Sequence, residues 1–132
     1  MSNLLDAFLS ADMNVEKDVY IKRFDDHIRI KALLEEEINE LREQATHYVG
    51  KGKSRKQEFD ADVFNGLLIA RACVNIDFGH AKMLAKYKAV DAGDCVRKAL
   101  FAGEIIMLQE AVLRLSGFDD TDDEELIEEA KN

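Results

Sequence analysis

Four side chains in this sequence carry the atoms most often recruited for metal or nucleophilic chemistry: His47, His80, Cys73 and Cys95. None of the pairs has the short spacing of a zinc site, such as Cys-x-x-Cys or His-x-x-x-His. Cys73 lies in an apolar helical stretch and Cys95 beside Val96, where a small sulfur side chain packs as a hydrophobe. The expectation is therefore no metal, no cofactor and no cysteine nucleophile. Carboxylates are abundant but collect in Glu35–Glu37 and in the last fourteen residues, which read as solvated surfaces. General acid–base work needs carboxylates in a water-excluded cleft with shifted pKa values. Gly50-Lys51-Gly52-Lys53-Ser54 has some of the residues of a phosphate loop. Its spacing departs from G-x-x-x-x-G-K-[ST], and it follows a predicted helix rather than a buried strand. Catalysis is not expected anywhere in the chain.

The charge is unevenly placed. Residues 119–132, DDTDDEELIEEAKN, hold eight carboxylates against one lysine and so supply −7 of the net −9. The remainder is nearly neutral, with one basic island at Lys51-Gly-Lys-Ser-Arg-Lys56. Four cations without interleaved aromatics make weak nucleic-acid bait, and no nucleic-acid partner is expected. The 132 residues fit one domain. The start, MSNLLDAFLSADMNVEKD, lacks a basic n-region, and no run approaches the ~20 apolar residues that span a bilayer. Two separated cysteines do not form a disulfide framework, and the expected compartment is a reducing cytoplasm, with no membrane partner.

The elements that would position these groups are mainly helical, and the absence of proline leaves their ladders uninterrupted. Residues 3–11 form a short amphipathic helix with Leu4, Leu5, Phe8 and Leu9 on one face. Asp18 to Ala32 changes period and predicts a hairpin turning on Asp25-Asp26. In that register Val19 faces Ala32, Ile21 faces Ile30 and Arg23 faces Ile28, with Tyr20, Lys22, Phe24, His27, Arg29 and Lys31 on the other face. It places Lys22 opposite Arg29, a like-charge pair that costs up to ~1 kcal/mol. Helices are predicted over 34–48, 61–75, 80–87, 92–100 and 103–116. Asp60 serves as an N-cap, and Ser116-Gly117-Phe118 is a glycine C-cap. Gly66 inside a helix costs ~1 kcal/mol against alanine and suggests a close helix contact. The expected fold class is mainly α. Residues 1–118 form one compact helical domain with a β-hairpin at about 18–32, and residues 119–132 a flexible acidic tail.

Three blocks taken in order carry a family resemblance: EKDVYIKRFDDHIRIKALLEEEINELREQATHYVGKGK, LLIARACVNIDF, and DAGDCVRKALFAGEIIMLQEAVLRLSGF followed by an acidic end. From about residue 15 onward the chain resembles the XkdN-like tail assembly chaperones of phages and prophages of Gram-positive bacteria. One departure is Phe101-Ala102-Gly103-Glu104-Ile105, where the family pattern has Leu-Pro-Gly-Glu-Ile. The resemblance implies a non-enzymatic protein of the bacterial host cytoplasm that binds the phage tape measure protein and keeps it soluble. It also implies help to tail tube subunits in polymerising, absence from the mature virion, and an extended form made by ribosomal frameshifting. An apolar groove between the 61–75 and 103–116 helices would cover a client helix, with Phe64, Leu68, Ile106 and Leu113 partly exposed as partner-binding residues. The competing reading is a small nucleic-acid-binding regulatory domain of a prophage.

Overall fold

The computed structural model describes residues 3–118, and the acidic segment 119–132 lies outside the described residues. Helix α1 (Leu4–Ser10) stands at the N-terminal end, and strands β1 (Glu16–Ile21) and β2 (Asp26–Lys31) form the first hairpin. Helix α2 (Glu35–Gln44) leads into a second hairpin of β3 (Thr46–Val49) and β4 (Lys56–Phe59). Four helices complete the body: α3 (Ala61–Ala72), α4 (Ala81–Tyr87), α5 (Ala92–Ala99) and α6 (Ala102–Leu115).

Helix α3 is apolar nearly all round, and it is accordingly central. It packs against α2, α5 and α6, and its Phe64, Leu68, Ile69 and Ala72 are buried. Asp60 caps its start, its carboxylate accepting the N–H of Asp62 and of Val63, each at 3.1 Å. The α3–α5 crossing is close because Gly66 and Gly93 meet there. A Cβ on Gly66 would stand 2.5 Å from the Gly93 carbonyl oxygen, which confirms the close contact expected at this glycine.

The first hairpin keeps its expected segregation but not its expected register. The structure pairs Val19 with Ile28, Lys17 with Ile30 and Asp18 with Arg29. The turn is a 3-10 segment over Lys22–Phe24, followed by Asp25 in the left-handed region at φ 48°. Four residues, rather than Asp25-Asp26 alone, therefore form the tip. The Tyr20 hydroxyl donates to Asp25 at 2.7 Å, and the tip releases Arg23 from the ladder toward α6. The shift conserves side-chain parity, so Val19, Ile21 and Ile30 are still buried together. It also removes the predicted clash. Arg29 lies opposite Asp18, not Lys22, and its Nε donates to that carboxylate at 2.9 Å.

A further antiparallel contact covers the outer edge of β2. Ile30 bridges Cys73, the Val74 N–H donates to the Arg29 carbonyl at 2.8 Å, and Asn75 both accepts from Arg29 N–H and donates to the His27 carbonyl. The inner face packs on α6.

The second hairpin corrects the prediction of one helix over 34–48. Helix α2 ends at Gln44, and Thr46–Val49 pairs with Lys56–Phe59. Phe59 then lies against Phe64, with ring centroids 5.4 Å apart, tying this hairpin to α3. At the other end of the chain α6 closes as expected. Gly117 takes φ +103°, its N–H donates to the Arg114 carbonyl, and the Phe118 N–H reaches back to the Leu113 carbonyl at 3.0 Å.

Candidate partner-binding surfaces

The four chemistry-bearing residues named at the outset are not brought together. His80 caps α4, its Nδ1 accepting the Lys82 N–H at 3.1 Å. His47 sits on β3 opposite Glu58. Burial pushes the Cys73 thiol up to about 12. Cys95 is buried in α5 and its thiol is raised by desolvation, then by nearby Asp94. Both sulfurs are held as thiols, the unreactive form. Among the described residues no cluster of three or more His, Cys, Asp or Glu side chains is arranged to hold a metal.

The glycine-punctuated loop is the turn of the second hairpin. Gly50 and Gly52 adopt φ of +85° and +58°, and the Ser54 hydroxyl is spent inside the loop, donating to the Lys51 carbonyl at 2.7 Å. Arg55 stacks on Tyr48, 4.1 Å from the ring centre. The loop joins two strands, whereas a phosphate loop opens a helix.

Of the four residues expected to line a partner groove, three are core. Phe64, Leu68 and Leu113 are buried, because α3 and α6 pack directly on one another and fill the space where the groove was expected. Ile106 is 57% exposed. It shares the outer side of α6 with Gly103 and Met107, and Phe101 stands exposed at the helix start. A Cβ on Gly103 would meet nothing within 4 Å, so the strip is open at this position.

An ion pair organises the edge of the strip. Arg23, from the hairpin tip, donates Nε and Nη2 to Glu104 at 3.1 and 2.8 Å and Nη2 to the Ala99 carbonyl at 3.0 Å. Its guanidinium lies between two rings, 4.3 Å from the centre of Phe24 and 4.2 Å from that of Phe101. Glu104 also accepts the N–H of Phe101 at 2.8 Å, capping α6. The hydrogen-bonded Arg23 holds the Glu104 carboxyl below its usual range, against an opposing effect of burial. The same carboxylate thus starts the helix without the proline of the family pattern, and it holds the guanidinium that stacks between two exposed aromatics. Neither partner was identified in the sequence, because they are remote along the chain. The only local signal was a glutamate at the second position of the helix predicted over 103–116.

Two other apolar surfaces are open. One is a groove of about 340 Å³ between the turn end of the first hairpin and α4, lined chiefly by Ile21, Phe24, Ile28, Phe78, Met83 and Tyr87. The other is α1, where Leu4, Leu5, Phe8 and Leu9 are all 64–76% exposed and no residue is buried. Among the described residues no helix is long and apolar enough to cross a membrane.

Comparisons with known proteins bear on what such surfaces serve. The sequence profile of the phage XkdN-like tail assembly chaperone proteins matches residues 5–131. The crystal structure of the protein yqbn superposes with a TM-score of 0.65 at 19% identity, covering 90% of this chain and all of the other, which shows a shared fold. No curated protein matches the sequence.

Proposed function

From the premise that this chain belongs to the phage XkdN-like tail assembly chaperone family, we propose that it binds the tape measure protein of its phage and keeps it soluble while tail tube subunits assemble around it. The family establishes a role in tail assembly and a tail-related protein partner. The finer reading rests on chemistry. A tape measure protein is a long helical chain whose apolar stripes self-associate unless they are covered. The observation that carries the reading is the open strip of Phe101, Ile106 and Met107, bordered by the Phe24–Arg23–Phe101 stack. Aromatic and arginine groups of this kind dominate the binding energy of protein interfaces. The absent Cβ at Gly103 lets a client helix approach the α6 backbone closely. The client-facing set proposed is Ile106 with Phe101 and Met107, while Phe64, Leu68 and Leu113 hold the helix that presents them. The setting is the host cytoplasm, where tails are built.

The test is co-purification. Tagged chain expressed with the tape measure protein of the same genome is expected to retain it. Ile106→Asp and Met107→Asp should weaken retention roughly tenfold or more while leaving the melting curve unchanged. Retention equal to wild type in both variants would remove the strip from the account.

A further inference from the structure

We propose that the apolar groove beside α4 is the receptor for helix α1 of a second copy of this chain, so that two copies associate by exchanging their N-terminal arms. The groove is a different surface from the client strip on α6, although Phe24 borders both.

The arm is built as a ligand. At 100° per residue, Leu4, Phe8, Leu5 and Leu9 fall within an arc of about 140°, with Asp6, Ala7 and Ser10 on the opposite side. Asn3 caps the helix, accepting the Asp6 N–H at 2.9 Å. Yet a helix of seven residues is far below the ~12–15 at which isolated helices become even marginal in water. Its apolar face is open along its whole length, and a receiving surface would supply the missing stability.

The groove is built as a receptor of the matching kind. Nine of its twelve lining residues are apolar, the polar ones being Asp26, His27 and Asn75. Its volume lies within the ~300–1,000 Å³ range of clefts that take ligands. Charge is complementary as well. Residues 1–15 contain Asp6 and Asp12 and no lysine or arginine. Helix α4, which sends Met83 and Tyr87 into the groove, carries exposed Lys82 and Lys86 and is followed by exposed Lys88.

Chain geometry favours the second copy over the arm's own groove. The Val15 carbonyl accepts from the Ala32 N–H at 2.8 Å, extending the hairpin pairing and pinning the arm to the open end of the sheet. The groove lies at the turn end, beside Ile21 and Ile28. Six residues of strand separate Val15 from Ile21, roughly 20 Å at ~3.3 Å per residue. The five steps from Ser10 to Val15 span at most about 18 Å, so α1 would enter its own groove only if the chain doubled back along β1. Reciprocal exchange between two copies needs no reversal and closes as a two-fold dimer.

The experiment combines mass and cross-linking on the full chain. Light scattering across micromolar concentrations should give a dimer. Phe8→Glu on the arm and Met83→Glu in the groove should each raise the dissociation constant roughly tenfold or more. Phe8→Glu sits on a helix with no buried residue, so at dilutions where both proteins are monomeric its melting curve should match wild type even if Met83→Glu perturbs the body. Oxidising a Phe8→Cys, Met83→Cys double variant should yield a covalent dimer on a non-reducing gel. A monomer at every concentration, a dimer indifferent to Phe8→Glu, or a disulfide closed within one chain would each overturn the proposal.

Discussion

At the scale of single residues, the division between interior and surface decides which substitutions touch stability and which touch binding. Phe64 is buried against Phe59 at the heart of the α3 packing. Phe64→Ala is expected to cost about 3–5 kcal/mol in a urea titration. Ile106→Ala, on the open side of α6, should stay within roughly 0.5 kcal/mol of wild type. The sequence reading put both residues in one groove, since both occupy apolar positions on predicted helices. Period alone cannot say how many neighbours a helix has. A helix as broadly apolar as α3 meets neighbours on several sides, and its Phe64 and Leu68 are spent on that packing.

Glu104 gives a residue-scale prediction with a sign. Its folded pKa is depressed from the ordinary 4.5 by Arg23, so its contribution is complete above that value and disappears as pH falls through the lower folded pKa. The difference in urea midpoint between wild type and Glu104→Gln should therefore be full near pH ~6 and close progressively below about 4.5. A difference that does not vary with pH would show that the charge of Glu104 contributes nothing.

At the scale of elements, the helices with caps and period were legible, and the hairpins only in part. Asp60 and Gly117 mark ends that the structure reproduces. The first hairpin's parity was readable from Val19, Ile21, Ile28 and Ile30, because alternation fixes a face. Its register depended on a four-residue tip whose arginine is drawn to Glu104, a contact 81 residues away in sequence. The second hairpin was missed because Ala45 and Tyr48 continue the helical period of α2. Its strands, four residues each, are too short to show an alternation of their own. The α3–α5 contact gives the test at this scale. Gly66→Ala gains about 1 kcal/mol of helix propensity but forces a Cβ against the Gly93 backbone, at a typical overpacking cost of about 1–3 kcal/mol. Because the opposing atom is backbone and cannot swing aside, the cost should prevail, with a net loss of up to about 2 kcal/mol in urea unfolding.

At the scale of the whole molecule, the described residues form a set of helices closed by two hairpins, with an apolar groove open at the surface. Helix α6 ends in a backbone cap in which the N–H groups of Ser116, Gly117 and Phe118 donate to the carbonyls of Val112, Leu113 and Arg114. Truncation after residue 118 should accordingly leave a cooperative melt at an unchanged midpoint, and loss of cooperativity would place residues 119–132 within the folding unit. Which surface meets a partner was the least legible feature of all. Exposure emerges from how elements pack, and the Arg23–Glu104 pair that borders the α6 strip joins parts of the chain with no local relationship. The central claim is that this body keeps a long, stripe-bearing tail protein in solution. The most direct measurement is the soluble fraction of the tape measure protein expressed with and without this chain. The tape measure is expected to move from pellet to supernatant in a complex with the chain. A tape measure that stays equally insoluble in both cases, with no complex recovered, would contradict it.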